Sequence, residues 1–286
     1  MSNEPPLTER VAALERAIVK DLPIRRTSWP LILFGVLLLA CFTTANMWLI
    51  RDHSRRLLDQ GREHKFWIIC HDSSTSAERT TAFLDLVRDG NTEWKSAKLV
   101  GLDLAGAGLA GADLQSTQLN ESNLDQVNFN GAELSGTQFH TCSMQGASFK
   151  KTNLVGSNLL LADLTEATLR EANCRGASFQ QAIAHRTTFI LADLTDGHFM
   201  MSDLTEANLT GANLTGANLQ AAKLVGANLT LARLNEADLT DTDFTDSNWW
   251  RARGLSPDTI KRLRDKYAPS KTANPAFLAD YKLWTR

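Results

Sequence analysis

From Leu99 to Trp249 the chain repeats itself every five residues, with no insertion or deletion in the register. The frame holds 31 centres: twenty Leu, seven Phe, and Met144, Cys174, Ala184 and Trp249. Neither common element can bury them all. Five residues turn an α-helix by about 500°, so successive centres would drift around its axis. Five is odd, so in a strand they would alternate between faces. Every centre can be buried only if the chain turns once per unit and presents each centre to a common axis. The accessory positions support this. Two residues before the centre a small residue stands in 29 of the 31 units, Leu102 and Val127 excepted, leaving room for a neighbouring backbone. Two residues after it Gly occurs eleven times, where a tight turn needs positive φ. All seven prolines lie outside Trp94–Trp249, as expected of a segment whose N–H groups feed ladders.

These A(D/N)LXX-like units, as in Ala207–Leu219, resemble the pentapeptide-repeat proteins. The resemblance implies an all-β solenoid, a right-handed quadrilateral β-helix with four units per coil. Thirty-one units then make nearly eight coils, a rod of about 37 Å at the ~4.8 Å sheet spacing. Phe129, Phe139, Phe149, Phe179, Phe189 and Phe199 all fall on odd units, hence on two opposite faces. Ala184, between Phe179 and Phe189, reads as volume compensation in a close-packed core.

The chain divides into an N-terminal tail (1–29), a transmembrane helix (30–50), a juxtamembrane linker with an N-capping helix (51–92), the solenoid (93–250) and a C-terminal helical cap (251–286). Leu31–Ile50 is uncharged over twenty residues, enough to span about 30 Å of hydrocarbon. Trp29 and Trp48 stand where an aromatic belt would lie. The span predicts a single-pass protein of the inner or plasma membrane, touching lipid through residues 30–50. Lys/Arg flanks number four before it and five after it, which favours a cytoplasmic solenoid by one residue. In the tail, Leu7, Val11, Leu14 and Ile18 form one helical stripe. It reads as an amphipathic helix on the membrane or as the two-heptad seam of a homodimer, and both stay open.

Thr75–Glu78 fits a capping box opening a helix that carries Ala82, Phe83, Leu86 and Val87 and stops at Gly90. Ser256-Pro257-Asp258 opens another, with Ile260, Leu263 and Tyr267 on its apolar side. Both are expected as caps, because an open solenoid end exposes core and sheet edge.

No catalytic, cofactor or metal site emerges. Gly106–Gly111 matches G-x-G-x-x-G, but its outer glycines are repeat corners, and no strand–helix context surrounds them. Asn208-Leu209-Thr210 matches a glycosylation sequon only because the repeat spells it. Cys70, His71 and His64 lack a fourth ligand, and Cys142 and Cys174 occupy inward positions. The chain therefore reads as a non-enzymatic, membrane-tethered scaffold for an unknown protein partner. The family offers a rival, an acidic DNA-mimic rod that binds a type II topoisomerase or another nucleic-acid-binding protein. Residues 96–250 carry 8 Lys/Arg and 17 Asp/Glu, a net of −9. A duplex of the same length carries about 22 charges. No direct contact with nucleic acid is expected.

Outward positions are mostly Thr, Asn, Asp, Gln or Gly. Leu160 and Leu161, and Met200 and Met201, break that rule two coils apart on one face, with Gln180 and Gln181 between them. Ile190, Leu191 and Leu231 form a sparser set on the opposite face. The Leu160/Leu161/Met200/Met201 patch is the candidate partner-binding site. The basic tail from Lys261 to Lys266 is the reserve candidate.

Overall fold

The five N–H groups of each unit explain the motif. In the computed structural model the unit around Leu164 is typical. Asp163 N donates to Cys142 O of the preceding coil, and Leu164 N and Glu166 N donate to Ile183 O and His185 O of the next. Ala167 N closes the turn on Leu164 O. The fifth, Thr165 N, donates to the side chain of Asp163 at 2.9 Å, as does Thr165 Oγ1 at 2.6 Å. An Asx residue before the centre thus satisfies the one donor that the coils leave over. Thr after the centre reinforces it, as at Asn208 and Thr210, where the sequon match is a turn device.

The structure describes residues 63–65, 68–69, 74–90 and 92–285. They belong to one compact unit, Arg62–Arg286. The N-terminal stripe, the run Leu31–Ile50, Cys70 and His71 lie outside the described residues. Among the described residues no helix is long and apolar enough to cross a membrane.

Parallel bridges join residue i to i+20, each a single rung rather than an extended strand. Eight such steps run from Glu93 to Arg253, so the coil holds four units and the solenoid has eight turns. Four columns of centres result. We label the faces A (Leu99, Leu119 and onward), B (Leu104 and onward), C (Leu109 and onward) and D (Trp94, Leu114 and onward). The phenylalanines stack within a column and meet edge-on across the axis. Phe179 and Phe199 on face A lie 4.7 Å apart and nearly parallel, and Phe129 and Phe149 on face C lie 5.1 Å apart. Phe179 and Phe189 meet edge to face at 5.9 Å beside Ala184. Gly197 is the small residue before Phe199, and a Cβ there would stand 2.8 Å from that ring.

Inward hydroxyls are satisfied within the core. Thr117, Thr137, Thr152, Thr187 and Thr242 each donate to the carbonyl of a centre in the preceding coil. Cys142 Sγ does the same toward Leu119 O at 2.9 Å, and burial pushes its thiol up to about 12. All 31 corners from Ser96 to Asp246 have positive φ, eleven with Gly and twenty without. Each non-glycine corner costs about 1 kcal/mol, which shows how strongly the packed axis dictates the turn.

Both ends are capped. Helix α1 (Ser76–Arg88) carries the Thr75–Glu78 capping box and buries Ala82, Phe83 and Leu86. Phe83 packs on Trp94 of the first rung with ring centres 4.3 Å apart. Arg79 donates to the carbonyls of Lys98 and Val100, which no earlier coil covers. At the other end the rung expected at Asn248 is half kept: Asn248 N still donates to Ala227 O at 3.3 Å, but its side-chain Oδ1 accepts from Leu229 N at 2.5 Å in place of its carbonyl. A 3-10 turn, Trp249–Arg251, follows. Helix α2 (Pro257–Lys266) starts at Ser256 as its sequence predicts. A further helix, α3 (Pro275–Trp284), is capped by Asn274 with Pro275 in its first turn. Its Tyr281 and Trp284 pack on Trp250 and Trp249 at 4.7 and 5.5 Å. Trp250 Nε1 donates to Asp280 at 2.8 Å, and Arg251 pairs with the same carboxylate.

Candidate protein-binding face

The twenty-residue register sorts outward residues into columns, and the columns differ sharply in charge. On face A, five successive coils carry no Asp, Glu, Lys or Arg at any outward position, from Gln138, His140 and Thr141 to Asn218, Gln220 and Ala221. Those coils span about 19 Å from first to fifth at the sheet spacing. Glu121 closes the neutral stretch on one side, and Asp238 and Asp241 close it on the other. The two apolar pairs sit within it. Leu161 N donates to Gln180 O and Gln181 N to Met200 O, so the pairs flank the glutamine coil. Leu160 and Met200 are half-buried, while Leu161 and Met201, at the corners, are 46% and 56% exposed. The result is a flat strip of thioether, isobutyl and amide groups with His140 and His198 on it. It can make apolar contacts and hydrogen bonds but presents no carboxylate, ammonium or guanidinium to a partner.

Face B is the opposite case. Asp103, Asp125, Asp163, Glu166, Asp203, Glu206, Asp243 and Asp246 stand on it against Arg186 and Lys223. Arg186 bonds Glu166 at 2.7 Å. Asp203 lies 3.1 Å from both His185 Nε2 and Lys223 Nζ and accepts from Thr205 Oγ1 at 2.5 Å. Burial alone would raise the Asp203 pKa, but the bonds from Thr205, His185 and Lys223 outweigh it and hold the carboxyl well below the usual carboxylate range.

Face C, opposite A, is mildly basic in its middle. Lys151 and Arg170 both pair with Glu171 there. Ile190 is half-buried, and Leu191 and Leu231 are exposed corners on the same face. They stand two coils apart, with Gly211 at the corner between. Those three coils also lack Asp, Glu, Lys and Arg at every outward position, so face C has a neutral stretch of three coils against the five of face A. The basic residues of Lys261–Lys266 are exposed on α2, off the faces of the rod. The G-x-G-x-x-G stretch lies on repeat turns: Gly106 and Gly111 are corners at φ 71° and 68°, and Gly108 is a rung to Asn128.

Sequence reasoning located the apolar pairs but not the uncharged strip around them. Its signal is a lack of Asp, Glu, Lys and Arg at positions twenty apart, an absence spread over five units rather than a motif within one.

The Pentapeptide repeats family model matches the chain in 8 copies, whose matches run from residue 95 to residue 251, a little over half its length. No curated protein matches it in sequence. Among solved structures, a trypsin-treated form of QnrB1, a plasmid-mediated fluoroquinolone resistance protein, is 20% identical, with a TM-score of 0.34 over 66% of this chain and 89% of that one. HetL, a pentapeptide repeat protein involved in heterocyst differentiation regulation from the cyanobacterium Nostoc sp. strain PCC 7120, is 24% identical, with a TM-score of 0.21 over 63% of this chain and 97% of that one. A pentapeptide repeat protein from the Arabidopsis thaliana thylakoid lumen is 21% identical, with a TM-score of 0.14 over 66% and 91%.

Proposed function

This chain belongs to the pentapeptide-repeat family, and from that premise we propose that it is a membrane-tethered, non-enzymatic scaffold that holds a protein partner on face A. The observation that carries the reading is the uncharged strip of five coils with Leu161 and Met201 exposed on it. A protein contact is favoured where the centre of the patch lacks charge and its rim is polar. Methionine adds a deformable surface. The tether rests on the uncharged run Leu31–Ile50, and the cytoplasmic placement of the solenoid rests on the flanking Lys/Arg excess.

The DNA-mimic alternative needs negative charge around the rod. Here charge is sorted by face, with A neutral along most of its length and C carrying Lys150, Lys151 and Arg170. That sorting favours the scaffold reading.

The test uses the full chain in detergent-solubilised membranes. Replacing Leu160, Leu161, Met200 and Met201 with Ser or Gln should abolish capture of the partner held by the native chain, with the melting temperature unchanged. Undiminished capture by that variant overturns the assignment to face A. In the same membranes the full chain should resist high-salt and carbonate washes; release by carbonate overturns the tether.

A further inference from the structure

The chain's own return builds a concave feature against the regular rod. After α2 the chain doubles back beside face B, and residues Thr272–Phe277 stand over the corner column Glu206, Gly226 and Asp246. Between them lies a groove of about 590 Å³. Its size falls within the range of ligand pockets, roughly 300–1,000 Å³. Gly226 makes the room: at this corner the column lacks a side chain, and Glu206 leans across it, its Cγ 3.5 Å from where a Cβ would stand. The walls are Val225, Ala273 and Phe277, and no Lys or Arg lines the groove.

The polar groups lining it are mostly spent. Asp246 accepts from Ser270 N and Oγ at 2.8 and 2.9 Å, which helps to tie the returning chain to the rod. Asn208 Oδ1 is held by Thr210, and Asn228 Oδ1 by Thr230 and Asn248. Asn274 Oδ1 caps α3. Arg186, the next corner before Glu206, turns to Glu166 instead. Glu206 is left as an exposed carboxylate beside an aromatic and an aliphatic wall.

The geometry points to a binding site for an arginine or lysine side chain presented by an extended segment of a protein partner. The stem of such a residue is apolar and its head charged. The stem fits against Val225 and Phe277, where a cation also gains from the ring face, and the head reaches Glu206. A neutral occupant would desolvate that carboxylate without pairing it. The site lies on a different face from the neutral strip and does not depend on it.

The probes are the Nα-acetylated amides of arginine and lysine, with the Nα-acetylated amides of citrulline and norleucine as uncharged counterparts, titrated into the detergent-solubilised full chain. The readout is the methyl resonances of Val225 in valine-labelled protein. The charged probes should shift Val225 saturably and the neutral ones should not. Glu206→Gln should weaken the charged probes about tenfold. Gly226→Leu should abolish binding by filling the groove. It should still fold, because Leu161, Leu191 and Leu231 hold leucine at corners of the same positive φ, and a single cooperative melt, only slightly lowered by the left-handed corner, verifies this. Equal titration by the citrulline probe, an unmoved Val225, or full affinity in Glu206→Gln each overturns the site. The quadruple variant of face A should bind the arginine probe like the native chain, so failure of either reading is seen separately.

Discussion

Faces A and B are built on the same backbone and differ in almost everything a partner would meet. Inside, both columns are apolar and closed to solvent: Leu159 of A and Leu164 of B are fully buried on one axis. Outside, A is neutral over five coils, whereas B in the neighbouring units carries Asp163, Glu166, Asp203 and Glu206. The difference teaches that this fold separates its two kinds of information. The centre and the small residue before it specify the coil. The residue before the centre and the two after it meet solvent or partner, subject only to the Asx and corner rules.

The largest effects should come from breaking that separation. Leu164→Asp places an unpaired charge on the axis and should cost several kcal/mol. Leu164→Ala leaves a cavity and should cost about 2–5 kcal/mol. The adjacent outward change, Asp163→Ala, removes the acceptor for Thr165 N and for Gln145 Nε2. It should cost only about 1 kcal/mol. Denaturant midpoints measure all three. Equal losses from Leu164→Asp and Asp163→Ala would mean that inside and outside are wrongly assigned.

A subtler effect should distinguish the outer columns by pH. Asp203 is held below its unfolded pKa, near 3.9. Its contribution is therefore present above about pH 4 and is lost as pH falls below that. Asp203→Asn should flatten the acid limb of melting temperature between about pH 5 and 2.5, while Gln180→Glu, placing a carboxylate on face A without such partners, should leave that limb as it is. An unaltered acid limb in Asp203→Asn would show that face B carries no such linkage.

Much of this architecture was legible in the sequence. The frame, the inward centres, the opposed phenylalanine columns and the Thr75 and Ser256 caps follow from spacing and from residue chemistry that acts within a few positions. Helix α3 was not foreseen, although Asn274-Pro275 carries an N-cap followed by Pro, because the apolar face behind it lacks a clean period. The sorting of charge by face needs every outward position compared at a period of twenty, whereas the apolar pairs show in single units and need that period only to be placed on one face. The groove needs more still: it depends on where the chain returns after α2, and no repeat encodes that.

The unbroken register has a further meaning for how such a chain can change. With four units to a turn, sequence length behaves as a phase angle. Deleting twenty residues shortens the rod and leaves every downstream face where it was. Deleting five keeps every centre on the axis but swings all later columns by a quarter turn, carrying Met200 and Met201 away from the side of Leu160 and Leu161. A single five-residue deletion could thus keep the core intact while scrambling the surface, and the neutral strip is continuous only because its units are spaced by twenty residues.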